Sequence, residues 1–233
     1  MTKSPEKKEN LLLNFLLNII IPTLILTKLS GDEYLGAKLG VIVALSFPVC
    51  YGIYDFTRVG KVNFISALGV ISVLLTGGIS LLELDPLYIA IKEAAIPAFF
   101  AVAALVSLKT RYPLVKTLLY NDKVLQIDVV DAALEKHNNT EAFRRTLVNA
   151  TYIIAGSFVV SSILNFVLAR WIMVSPPGTE AFNEELGRMT FLSYFVIMVP
   201  SMIILMSAMF YLFRNIKQLT QLPLEKILHD AEH

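Results

Sequence analysis

The stretch Val62–Leu108, VNFISALGVISVLLTGGISLLELDPLYIAIKEAAIPAFFAVAALVSL, holds two long apolar runs separated only by Glu83-Leu-Asp-Pro86. Asp85 is suited to cap a helix and Pro86 to occupy its first turn. Four residues leave room for a tight turn and nothing more, so the two runs are expected to form an antiparallel helical hairpin. Each run is long enough to approach the ~20 helical residues needed to cross a hydrocarbon core ~30 Å thick. Barrel strands would be about half as long and would alternate in polarity, which these runs do not.

Working outward, six apolar stretches recur, giving expected spans over about 10–29, 35–54, 62–83, 86–108, 147–173 and 191–213. The expected fold is all-α, a single polytopic integral membrane domain over residues 1–233 with six transmembrane helices. Composition agrees: 55% hydrophobic residues and 17% charged, with mean hydropathy +0.64. Alternating the connections between two sides sorts the cations. One side receives Lys3, Lys7, Lys8, Arg58, Lys61, Lys109, Arg111, Lys116, Lys123, Lys136, Arg144, Arg145, Arg214, Lys217 and Lys226. The other receives Lys28, Lys38, Arg170 and Arg188, while Lys92 lies within a span. The richer side is expected to be cytoplasmic, and with it both termini. Net charge of +1 conceals this sidedness and gives no reason to expect a nucleic-acid partner.

Several spans carry ridges of small or polar residues. Gly36, Gly40 and Ala44 open the second at four-residue spacing, which permits close helix approach. Ser72, Thr76 and Ser80 form a stripe in the third beside Gly77 and Gly78, and Ser157, Ser161 and Asn165 repeat the device in the fifth. These are the expected helix-packing and docking faces. Asn14, Asn18 and Pro22 share a face of the first span. Pro22, Pro48, Pro97 and Pro200 lie inside spans, and Pro48 is expected to disturb its helix. Cys50, the single cysteine, excludes an intrachain disulfide.

Outside the spans, the segment 109–146 is the sizeable cytoplasmic connection. Leu114–Leu119 is suited to a short surface helix, and Ile127–Leu134 to a second amphipathic stretch. The segment is expected either to lie solvated against lipid headgroups or to dock a partner. Ser175–Gly187 is expected to be an external loop, and Leu222–Leu228 an amphipathic turn.

Lys92 and Glu93 are the ionisable pair placed inside a span. A charge at a span's centre costs about 3 kcal/mol on insertion scales. Lys92, about 10 Å along its helix from Pro86, can snorkel outward. Glu93 points about 100° away and is not expected to pair with it directly. The hydroxyls of Thr76 and Ser80 are its expected partners. Three uses are open: a structural ion or hydrogen-bond network, a proton or cation site, or snorkelling without consequence. His137, His229 and His233 lack metal-ligand spacing, and no nucleophile–base, phosphate-loop or paired-cysteine pattern is present. The chain is thus expected to be no enzyme, with no cofactor and no metal.

At the hairpin, Lys61-Val62, Gly77-Gly78-Ile-Ser-Leu, Asp85 and Tyr88-Ile89-Ala-Ile-Lys92 resemble the bacterial intracellular septation protein A family. That family carries a basic-Val start, a Gly-Gly-Leu-Thr-Leu segment and an aromatic-Ile-Lys-x-Lys run. The likeness runs without gaps from Lys61 to about Ser107, with weaker echoes at Pro113-Leu-Val-Lys-Thr-Leu-Leu and Asn165-Phe-Val-Leu-Ala. Lys92 matches the second family lysine, Ala90 stands at the first, and Glu93 stands where the family has Pro or an apolar residue. The resemblance implies a multi-pass protein of the bacterial inner membrane that supports envelope integrity or septation. Its implied partners are the lipid bilayer and other inner-membrane proteins, with oligomeric state open. The alternative is a small solute or proton-coupled transporter or channel using Lys92 and Glu93.

Overall fold

The computed structural model describes residues 11–59, 64–110, 116, 120 and 125–227. Its helices in chain order are α1 (Leu11–Phe15), a π-helical segment (Leu16–Ile20), α2 (Ile21–Lys28), α3 (Gly36–Val59), α4 (Phe64–Leu81) and α5 (Leu87–Ser107). Then follow α6 (Ile127–Lys136), α7 (Thr140–Ile172), α8 (Glu180–Ser193), a second π-helical segment (Tyr194–Met198), α9 (Val199–Thr220) and α10 (Leu224–Ile227). No β-strand occurs among the described residues. Four helical stretches are long and apolar enough to cross a membrane: Gly36–Tyr54, Leu87–Ser107, Thr140–Ile172 and Glu180–Thr220. Leu13–Lys28 and Leu68–Leu81 are apolar but shorter. The basic N-terminal arm, the expected Leu114–Leu119 helix apart from residue 116, and Lys61 lie outside the described residues.

Proline explains both π segments. Pro22 and Pro200 are each the second residue of the following helix. A proline lacks the N–H and its ring collides with the carbonyl four residues back. The preceding turn relaxes to a five-residue spacing, seen where the Ile21 N–H donates to the Leu16 carbonyl. Pro48 behaves otherwise: α3 continues through it, as α5 does through Pro97. Neighbouring groups can re-satisfy a freed carbonyl within a bundle.

The chain divides into two compact units, residues 1–93 with 165–196, and residues 94–164 with 197–233. In the first, α2 turns into α3 through residues 29–35. The Leu35 N–H reaches the Leu29 carbonyl (3.1 Å) and the Gly36 N–H the Gly31 carbonyl (3.0 Å). Gly36 sits at φ +71°, so it serves this turn and not a packing ridge. Gly40 and Ala44 do pack: a Cβ on Gly40 would strike Ser30, and Ala44 is fully buried. Helices α3 and α4 run antiparallel, with Gly52 against Val70 and Gly77 against Leu45. Gly78 has nothing within 4 Å of where a Cβ would stand, so it does not serve helix packing as expected.

Against α2 lies α8. Gly187 permits the approach, since a Cβ there would stand 2.9 Å from Thr27 Cγ2 and 3.2 Å from the Thr23 carbonyl oxygen. Asn183, buried, donates from Nδ2 to the Ala37 carbonyl at 2.7 Å. The expected external loop Ser175–Gly187 is therefore mostly helix, and Phe182 and Leu186 belong to the core with Ile25, Leu26, Ile89 and Met173. Burying a side chain of that size contributes about 1.5–3 kcal/mol, enough to hold a polar-looking helix against α2.

In the second unit, the later turns of α5 run antiparallel to α7. Ser162 Oγ donates to the Ala94 carbonyl at 2.9 Å, and the rings of Phe100 and Phe158 stack with centroids 5.4 Å apart. Helix α7 in turn meets α9 through Ser161 and Ser201 (Oγ–Oγ 2.6 Å) and through Asn149 Nδ2 donating to Tyr211 Oη (3.2 Å). Ser157 and Ser161 are buried as packing residues, each bonding a carbonyl of its own helix. Asn165, half-buried, belongs to the other unit.

Helix α7 begins seven residues before the expected span and α9 continues seven beyond it. These extensions carry a second apolar core built from Val130, Leu134, Phe143, Leu147, Ile216 and Ile227. Segment 109–146 is thus not simply solvated: α6 is packed inward. Asn138 (φ 55°) ends α6 in the left-handed conformation, with Asn138 N–H on Glu135 O (3.1 Å) and Asn139 N–H on Leu134 O (2.9 Å). Asn139 Nδ2 then donates to the Leu219 carbonyl (2.8 Å), and the Gln126 N–H to the Ile227 carbonyl (2.9 Å), fastening α6 to the chain's far end.

Candidate functional site

The expected hairpin between α4 and α5 is present, and its turn chemistry sets the site. Helix α4 ends in a Schellman motif: the Glu83 N–H meets the Ser80 carbonyl (3.3 Å) and the Leu84 N–H the Ile79 carbonyl (3.0 Å). Glu83 takes the left-handed position at φ 54°, which costs a non-glycine residue roughly 1–2 kcal/mol. Its carboxylate lies 3.1 Å from Lys38 Nζ and over Gly178, whose absent side chain leaves the space. Two residues later Asp85 Oδ1 accepts the Leu87 N–H at 2.7 Å, opening α5 as a helix cap.

This turn brings the first turns of α5 beside the last turns of α4. Lys92 then faces the Ser72–Thr76–Ser80 stripe. Its Nζ donates to Thr76 Oγ1 at 2.7 Å and to Ser72 Oγ at 3.2 Å, and lies 2.6 Å from Glu93 Oε1. A lysine ammonium has three N–H donors, and here each has an oxygen. The Lys92 side chain is only 8% exposed, against 25% for Glu93.

Two expectations are corrected. Lys92 and Glu93 do pair directly, because the four-carbon lysine stem bends back across the 100° that separates their Cβ atoms. The hydroxyls serve the lysine, not the glutamate. Thr76 Oγ1 accepts from Lys92 while donating to the Ser72 carbonyl (3.0 Å). Ser80 Oγ spends its proton on the Thr76 carbonyl (2.8 Å), so it braces the strut without touching the pair. Ser72, which was not among the expected partners, joins the site as an acceptor. Its place on the i, i+4, i+8 stripe was the available signal.

Chemically, the arrangement pairs a largely buried lysine ammonium with a carboxylate and two hydroxyl oxygens, which offsets the cost of its burial. Among the described residues no three His, Cys, Asp or Glu side chains stand close enough to hold a metal ion. Compared with protein-family models, curated proteins and solved structures, the chain matches no family, relative or fold.

Proposed function

We propose that the chain is a non-enzymatic structural and interaction protein of the bacterial inner membrane, supporting envelope integrity or septation. It crosses the bilayer six times with both termini in the cytoplasm. The observation that carries the structural role is the closed coordination of Lys92: its three donors meet three acceptors, and its side chain is only 8% exposed. Such a pair fixes the register of α4 on α5, as buried polar groups do where they select one arrangement. The septation assignment rests on the likeness between Lys61 and Ser107.

Helix pairing supports six crossings in place of four. Helix α4 has 18 residues, about 27 Å of helix, and lies antiparallel to α3. The Lys92 bonds hold it alongside α5, and a helix paired with a crossing helix at matching depth crosses with it. Helices α1 and α2 with their π segment span Leu11–Lys28 and pair likewise with α3. Cation counts do not separate the two topologies, because a four-crossing chain merely exchanges Arg58 and Lys61 for Lys28 and Lys38. The location of those four residues does.

Deletion of the gene with microscopy of dividing cells, together with co-purification in mild detergent, tests the role. Division or envelope defects and a recovered inner-membrane partner are expected; neither would appear if the role is wrong. The transporter reading has one observation in its favour, the 25% exposure of Glu93. It requires solute or proton flux in proteoliposomes that Glu93→Gln abolishes in a folded protein.

A further inference from the structure

We propose that α7 and α9 bind the phosphate of one anionic phospholipid where they leave the apolar layer, through Arg145, Asn149, Tyr211 and Arg214. The contacts of Ser161 with Ser201 and of Asn149 with Tyr211 fix the two helices as an antiparallel pair. Arg145 lies one turn from Asn149 on the same face of α7, and Arg214 lies three residues beyond Tyr211 on α9. The antiparallel register sets the two arginines at one level.

Donors outnumber acceptors there. Asn149 Nδ2 donates to Tyr211 Oη at 3.2 Å, so the phenol oxygen accepts, and its own proton meets no acceptor among the described residues. Arg214 is exposed, and no ion pair reaches it among the described residues. Arg145 is 78% exposed and stands 3.8 Å from Glu141. That carboxylate is already held by Arg144, through Nε at 2.9 Å and Nη2 at 2.8 Å. Two guanidinium groups and a phenol proton are left to an outside acceptor, and the guanidinium fork matches phosphate oxygens in pairs.

Depth makes that acceptor a lipid. No Asp, Glu, Lys or Arg occurs in α7 between Arg145 and Arg170, about 37 Å of helix at ~1.5 Å per residue. None occurs between Arg188 and Arg214 either. A hydrocarbon core is ~30 Å thick and ~40–45 Å with its headgroup layers, so arginines at these limits stand among headgroups. Tyr152 and Phe210, 56% and 68% exposed, lie on the apolar side of the site, where an aromatic belt is expected. Four crossings or six carry Arg145 and Arg214 to the same face. The inference therefore rests on membrane insertion, and on neither the number of crossings nor the envelope role.

The test is native mass spectrometry of the full chain in mild detergent, titrated with phosphatidylglycerol or phosphatidylcholine of identical acyl chains. Phosphatidylglycerol should be retained more tightly by about fivefold for each arginine engaged. Arg145→Gln combined with Arg214→Gln should abolish the preference, and Tyr211→Phe should weaken it. Arg188→Gln, at an exposed position across the uncharged run, should leave it intact. In the unmodified protein, phosphatidylglycerol nanodiscs should protect Arg145 and Arg214 from phenylglyoxal more than phosphatidylcholine nanodiscs do. That reading stands even if the double variant fails to fold. Equal retention of the two lipids, a preference that survives in a folded double variant, equal loss in Arg188→Gln, or equal protection in the two nanodiscs would each overturn the proposal. So would displacement of phosphatidylglycerol by inorganic phosphate, which would make these groups a site for a soluble anion. Failure to enter either nanodisc would overturn membrane insertion itself, and the proposal with it.

Discussion

Lys92 Nζ lies 2.7 Å from Thr76 Oγ1, a buried bond across sixteen residues that joins α4 to α5. Hydrogen bonds to charged groups are worth about 1.5–3 kcal/mol, and the loss is larger when a buried charge keeps its place without its partners. Thr76→Val keeps the shape and deletes the acceptor. It should lower stability by about 1–3 kcal/mol, read as thermal unfolding in detergent. Ser80→Ala, which removes only a bond to its own helix, should cost less.

The ion pair itself should show strong coupling. Removing one partner of a buried pair costs about 3–5 kcal/mol, whereas replacing both with apolar residues is often close to neutral. Glu93→Leu should therefore destabilise more than the double variant Lys92→Met with Glu93→Leu. Additive losses in a double-mutant cycle would show that the two charges do not support each other.

Glycine positions separate tight from open faces. Gly187→Ala places a methyl 2.9 Å from Thr27 and 3.2 Å from the Thr23 carbonyl oxygen, against backbone that cannot yield cheaply. A loss of about 1–3 kcal/mol is expected, as for other overpacked sites. Gly78→Ala meets nothing within 4 Å in the middle of α4 and should stabilise by about 0.5–1 kcal/mol. Equal effects at the two sites would contradict the packing of α8 on α2.

The core around α6 should open locally. Leu134, 1% exposed, packs among Phe143, Leu147, Ile216 and Ile227. Leu134→Ala should cost about 2–5 kcal/mol locally. Limited proteolysis should then cut between residues 125 and 139 while the long apolar helices stay protected; unchanged protease resistance would place α6 outside the core.

Acid should loosen the start of α7. Glu141 accepts from Arg144 Nε (2.9 Å) and Arg144 Nη2 (2.8 Å), and these hydrogen bonds, with the charges of Arg144 and Arg145, hold its carboxyl below the ordinary value of 4.5. A depressed folded-state value means that the contribution is present above the unfolded value and fades as pH falls through the folded one. Amide exchange at residues 141–146, corrected for intrinsic rates, should rise as pH falls below 4.5. Glu141→Gln should flatten that dependence, and salt should weaken it because the pair is exposed.

Much of the helical architecture was legible because its signals are local. Asp85 and Pro86 declare the α5 start in four residues, and the stripe Ser72–Thr76–Ser80 follows from helical period alone. The ends of α7 and α9 were not legible from hydropathy, because backbone hydrogen bonding runs on past the last apolar residues. Glu180–Ser193 failed for a related reason: its charged residues hide Phe182, Leu186 and Met189, which repeat at helical spacing and face α2. The Lys92–Glu93 pair was misread because Cβ directions decide short side chains, whereas a lysine's rotamers carry its charge around the helix. Gly36 and Gly78 show that glycine spacing alone does not distinguish a turn or an open face from a packing ridge.

Single-cysteine accessibility to a membrane-impermeant maleimide, in a Cys50→Ser background, tests the six-crossing arrangement most directly. Cysteines replacing Lys61, Lys123 and His233 should react only from the cytoplasmic face, and those replacing Lys38 and Gly178 only from the outer face. Reaction of position 61 from outside together with position 38 from within would leave four crossings and contradict the account.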